Sequence, residues 1–105
     1  MHYHVKAKPI DAKAAEFHRI LTDGTVAKQQ PDGAEIVASM ARAVLADDGY
    51  AYWTETCYCA TPLHHERATV YDRFFTEFEA TERDEALEVA GQYLMDVLSS
   101  IGQRQ

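Results

Sequence analysis

Cys57 and Cys59 stand one residue apart, and His64 and His65 follow closely. Thiolates and imidazoles are the usual ligands of zinc, and one strand face with its adjoining loop could bring four of them together. The spacing departs from common zinc patterns, which leave two to four residues between the cysteines and place the second ligand pair well apart. On a strand the two cysteines share a face with side chains about 6–7 Å apart, from a rise of about 3.3 Å per residue. Tetrahedral zinc holds its sulfurs about 3.5–4 Å apart. Closing that gap takes a bulge or bend at Tyr58, where neither Gly nor Pro favours one. The pattern therefore predicts two thiols packed as small hydrophobes, with His64 and His65 exposed in a loop. It also predicts no metal or other built-in cofactor, no stoichiometric zinc or copper, and a Cys57→Ser, Cys59→Ser double variant that folds. A metal centre on Cys57, Cys59, His64 and His65, such as a copper(I) chelate, is the alternative.

A second group emerges from two segments of period-two alternation. Tyr50, Tyr52, Thr54, Thr56 and Tyr58 fall on one face of a strand, opposite Ala51, Trp53, Glu55, Cys57 and Cys59. In the following segment Val70, Asp72, Phe74 and Phe78 alternate with Thr69, Tyr71, Arg73 and Phe75. The more apolar sets suit a face covered by helices. The opposite face then carries Tyr52, Tyr58, Tyr71 and Arg73, with His4 from the first strand. An aromatic face with one Arg and one His has the character of a pocket for a small, partly polar or anionic ligand. It has equally the character of a dimer interface, where Tyr and Arg are enriched. A slip of one residue in register exchanges the two faces.

Other candidates are weaker. His2 and His4 share a strand face and could chelate, although exposure beside Lys6 and Lys8 explains them as well. His18 fits the edge of a core with its polar tip in water. Glu55 and Asp72 are acids within apolar alternations. Burial would raise their pKa values and make a general acid or base, whereas pairing with Arg67 or Arg73 would make them structural. No nucleophile elbow, phosphate loop, HExxH or dinucleotide fingerprint occurs.

The elements that position these residues can be read in order. His2 to Lys8 alternates as a half-buried strand, with Tyr3, Val5 and Ala7 on one face, until Pro9 ends it. Asp11 offers a cap for a helix over 12–21 that aligns Ala14, Phe17, Ile20 and Leu21. Residues 25–31 follow no periodic pattern. Asp32 and Glu35 resemble a capping box ahead of a helix over 33–46. Strands are expected over 50–59 and 67–79, joined by residues 60–65 as a hairpin loop. Thr81 caps an expected last helix over 82–101, with Leu87, Ala90, Leu94, Val97, Leu98 and Ile101 as its apolar stripe.

The expected fold class is α+β: a three-stranded antiparallel sheet with helices on one face, in the order β-α-α-β-β-α. That order resembles the ferredoxin-like plan without its last strand, and the dimeric α/β-barrel group, in which two sheets pack face to face around a pocket. The resemblance rests on element order and implies a homodimer.

Composition bounds the rest. The chain has 105 residues, 47% hydrophobic and 26% charged, which suits one globular domain. Its net charge of −7, with ten scattered basic residues, argues against nucleic acid and against anionic membrane surfaces. No run is apolar enough to span a bilayer, and residues 1–10 lack the apolar stretch of a signal peptide. Cysteines at i,i+2 rarely reach disulfide geometry, so reduced thiols and a cytoplasmic location are expected. The function expected is a homodimer that binds a small molecule on the Tyr/Arg/His sheet face. A non-enzymatic homodimeric interaction domain is the alternative.

Overall fold

The structure is a computed structural model that describes residues 1–58 and 60–103. Alternation of buried and outward residues sets the first strand, β1 (His2–Pro9), with Tyr3, Val5 and Ala7 inward. A 3-10 turn (Asp11–Lys13) leads into α1 (Ala14–Thr22), which buries Ala14, Phe17, Ile20 and Leu21 at helical spacing. Residues 25–31 form turns anchored by buried Val26, whose N–H donates to the Ile20 carbonyl. Helix α2 (Gly33–Arg42) buries Ile36 and Met40 and gives way to the short strand β2 (Val44–Leu45). β3 (Ala51–Thr56) follows, with Ala51, Trp53 and Glu55 inward.

The chain between β3 and the next strand is helical. An α turn (His64–Glu66), a π turn (Arg67–Tyr71) and a second α turn (Asp72–Phe74) join as one stretch, α3. Leu63 starts it in the left-handed region at φ 55, a strained conformation for a leucine, and is fully buried. β4 (Phe75–Glu82), β5 (Gln92–Tyr93) and α4 (Leu94–Gln103) complete the chain.

All pairings are antiparallel, in the order β4-β1-β3-β2-β5. β1 is central. The connections β1-α1-α2-β2 and β3-α3-β4 each pass over one intervening strand. The core lies between the sheet and the helices and is strongly aromatic. The Phe17 and Phe74 rings stack with centroids 4.3 Å apart, and Trp53 packs on Tyr71 and Phe75 at 5.3 and 5.1 Å. Helix α4 lies along α1 and places Leu94 and Leu98 in the same core.

Three expectations are corrected. The sheet has five strands rather than three. Residues 64–74 form a helix instead of the second arm of a hairpin, because Leu63, Glu66, Val70, Tyr71 and Phe74 all point into the core at helical spacing. β3 pairs instead with β1 and β2. The last helix begins only at Leu94. Residues 83–91 run across the open sheet face, where the Glu85 carbonyl meets His4 Nε2 at 2.6 Å and Leu87 lies beside Tyr52 and Thr54. Gly91 then packs so closely on the Leu45 carbonyl that a Cβ would lie 2.1 Å from it. Among the described residues, no helix is long and apolar enough to cross a membrane.

Candidate functional site

Beyond its pairing with β2, the outer edge of β3 is finished by side chains of α2. Arg42 Nη2 donates to the Thr54 carbonyl at 2.7 Å, and the Thr56 N–H donates to Glu35 Oε2 at 2.9 Å. A 3.1 Å ion pair joins Arg42 to Glu35. These contacts hold α2 alongside the end of β3, with Glu35 of its first turn at Thr56. The first turn of α3 forms the third wall, and between them lies a cleft of about 520 Å³ bordered by Pro31, Asp32, Glu35, Thr56, Cys57, Tyr58, His65 and Glu66.

The floor of the cleft is a hydrogen-bonded chain. His65 Nδ1 lies 2.5 Å from Asp32 Oδ2. With Asp32 ionised the ring nitrogen is the donor, which leaves Nε2 of the neutral imidazole as an acceptor. Asp32 and Glu66 share a hydrogen bond, and the Cys57 thiol donates to Glu66. Two carboxyl groups can share such a bond only while one of them holds a proton. Burial first, and then the nearby Asp32 charge, raise the Glu66 pKa. Gln29 Nε2 donates to Asp32 Oδ1 at 3.3 Å and to Thr69 Oγ1 at 2.8 Å, and the Thr69 hydroxyl donates to the His65 carbonyl at 2.8 Å. One donor atom from each of Asp32, His65 and Glu66 lies within 4.8 Å of the other two.

Next to this chain sits Glu55, 1% exposed. The Trp53 indole N–H and the Tyr71 hydroxyl both donate to its Oε1, at 2.8 and 2.6 Å. Oε2 meets no hydrogen-bond partner among the described residues. Burial pushes the Glu55 carboxyl up to about 8 against the lowering effect of these two donors, and the Glu66 and Glu35 charges add to the rise. At neutral pH Glu55 is largely a neutral acid.

The chain matches no family model, no curated protein and no solved structure.

The five residues expected on one sheet face are dispersed. His4 and Tyr52 stand half-buried on the open face, with the Tyr52 hydroxyl on Asp48 Oδ2 at 2.5 Å. Tyr58 lies just past the end of β3, 86% exposed at the rim of the cleft. Tyr71 is in the core on α3, and Arg73 is on the outer side of α3, paired with Glu16 at 3.1 Å. The shared face dissolves because 67–74 is helical, which gives Tyr71 and Arg73 helical rather than alternating directions. The Cys/His group is divided as well. Cys57 is buried, His64 is exposed, and Cys59 lies outside the described residues. His65, expected in a loop, belongs to α3 and turns onto Asp32. Asp72 pairs with Arg67 at 3.0 Å, within α3 rather than across a hairpin.

Asp32, Glu35 and Glu66 are not among the residues that the sequence singles out for chemistry. Asp32 and Glu35 have the pattern of a capping box, yet neither side chain caps α2: Asp32 turns to His65 and Glu35 to Thr56. The signal for Glu66 is an acid at a core position of the helical pattern Leu63, Glu66, Val70, Phe74.

Proposed function

We propose that the cleft between α2, α3 and the end of β3 binds a small molecule and exchanges a proton with it through the His65–Asp32–Glu66 chain. The observation that carries this reading is the junction of an open cleft with a carboxyl pair, half-buried Asp32 and buried Glu66, that ends at an imidazole. Histidine titrates near neutral pH and is the commonest general acid or base. A proton taken up at Nε2 would be stabilised by Asp32 at Nδ1, the arrangement by which a carboxylate orients a catalytic histidine. Asp32, Glu35 and Glu66 around the floor favour a ligand that is cationic or rich in hydrogen-bond donors, in contrast to the anionic ligand suited to an Arg-bearing face. Pro31 and the Tyr58 ring offer apolar contact at the mouth.

Assembly belongs to the same proposal. The sheet order β4-β1-β3-β2, with two crossovers that each skip a strand, supports a ferredoxin-like plan extended by β5 at one edge. In the dimeric-barrel arrangement the open face of that sheet meets a second copy, and a cytoplasmic homodimer remains the expected form.

The test is a titration of isotope-labelled protein with small amines and with small carboxylic acids, followed by amide NMR shifts. Amines should move the signals of residues 32–35, 56–58 and 65–66. Shifts confined to the open-face residues His4, Lys6 and Tyr52, or none at all, would reject the cleft.

A further inference from the structure

We infer that Asp32, His65 and Glu66 form a site for one divalent first-row cation of the zinc class, with open coordination positions facing the cleft. This rests on the reading of the cleft as a ligand site, because the open positions need a ligand to face, and the proton exchange assigned to the trio belongs to its metal-free form.

Geometry supplies the first argument. The three donor atoms lie within 4.8 Å of one another and come from two separately anchored elements, the residue before α2 and the first turn of α3. Zinc–oxygen and zinc–nitrogen bonds of about 2.0–2.2 Å place ligand atoms about 3–3.6 Å apart. Small carboxylate rotations close that difference.

The second argument is the set of groups outside the trio. Ligands of a working metal site are held by partners of their own. Gln29 donates to Asp32, the Cys57 thiol donates to Glu66, and Thr69 ties the His65 backbone to Gln29. Each of the three is thus oriented from outside the coordination sphere.

The donor set selects the metal. Calcium takes six to eight oxygens and magnesium prefers oxygen and water, whereas imidazole suits zinc and its transition-metal neighbours. Three protein ligands with the remaining positions open is the pattern of reactive rather than structural zinc. This set shares only His65 with the Cys57/Cys59/His64/His65 group.

The experiment uses the full chain stripped by chelator and titrated without any organic ligand, with Zn2+ by calorimetry and Co2+ by visible absorption. Wild type should bind one Zn2+ per chain and show a Co2+ spectrum of low coordination number, with binding to Mg2+ weaker by at least about a hundredfold. Glu66→Gln and His65→Ala should each weaken Zn2+ binding by about 10-fold or more, while His64→Ala and Cys59→Ser stay within about threefold of wild type. Circular dichroism checks the fold of each variant, and either trio variant that folds decides the matter. No Zn2+ binding by wild type overturns the inference, as does binding that survives the folded trio variants or is lost only with His64 or Cys59. Because no organic ligand is present, that failure leaves the small-molecule cleft standing, and the amine titration tests it separately.

Discussion

At the scale of single residues, Glu55 shows how burial becomes a pH dependence. Its folded pKa is about 8 against an ordinary 4.5, so between those values the unfolded chain is ionised while the folded chain keeps its proton. The stabilising difference is complete below about pH 4.5 and is lost as pH rises toward 8, at up to about 1.4 kcal/mol per pH unit for one proton. The raised pKa of Glu66 acts in the same sense. Urea unfolding from pH 5 to pH 8 should show falling stability, and Glu55→Gln should flatten the slope and be more stable than wild type at pH 8. An unchanged slope would show that Glu55 is not the group responsible. Leu94, fully buried on α4, tests the core. Leu94→Ala should cost roughly 2–5 kcal/mol in chemical denaturation, and a loss below about 0.5 kcal/mol would contradict its burial. Both residues were legible in the sequence, Glu55 from strand alternation and Leu94 from helical spacing. Glu66 was not, because it falls between the loop expected over 60–65 and the strand expected over 67–79.

At the scale of elements, the start of α2 determines where Asp32 sits. Gly33 is buried there, and a Cβ at this position would lie 2.1 Å from the Val26 carbonyl oxygen. Gly33→Ala must push the start of α2 away from the 25–31 turns. We expect a loss of about 1–3 kcal/mol, read as a lowered thermal midpoint, with weaker coupling of His65 to Asp32 in the imidazole NMR signals. A variant as stable as wild type would mean that this contact is easily relieved. Strand propensity over 67–79 is strong, and the stretch supports both a period-two and a period-3.6 pattern. The choice between them is made by the space under the sheet. A helix at 64–74 sends Val70, Tyr71 and Phe74 together into the core, whereas alternation would turn Tyr71 away from it.

At the scale of the whole molecule, the open sheet face separates the assembly proposals. It carries His4, Lys6 and Tyr52 and is crossed by residues 83–91, and Lys6 lies over the Tyr50 ring at 4.3 Å. A homodimer should appear in sedimentation velocity at micromolar concentration, with at least about 1,000 Å² of total buried surface. Monomer alone at that concentration would refute the dimer and leave the cleft unaffected, because the cleft is built within one chain.

The sequence by itself determined what local periodicity controls. It specified the α+β class, the alternation of β1 and β3 that places Tyr3, Val5 and Trp53 inward, the helices beginning near Ala14 and Gly33, and the burial of Leu94. Tertiary structure alone decided which strands are neighbours, that residues 64–74 are helical, and that residues 83–91 cross the sheet before α4 begins. It also created the candidate site. Asp32 and His65 are distant in sequence, and each has a plausible local role, one as a helix cap and the other as a loop histidine. Only the packing of the chain before α2 against the first turn of α3 brings them within hydrogen-bond distance of each other. Contacts of that kind depend on three-dimensional closure, which no local period records.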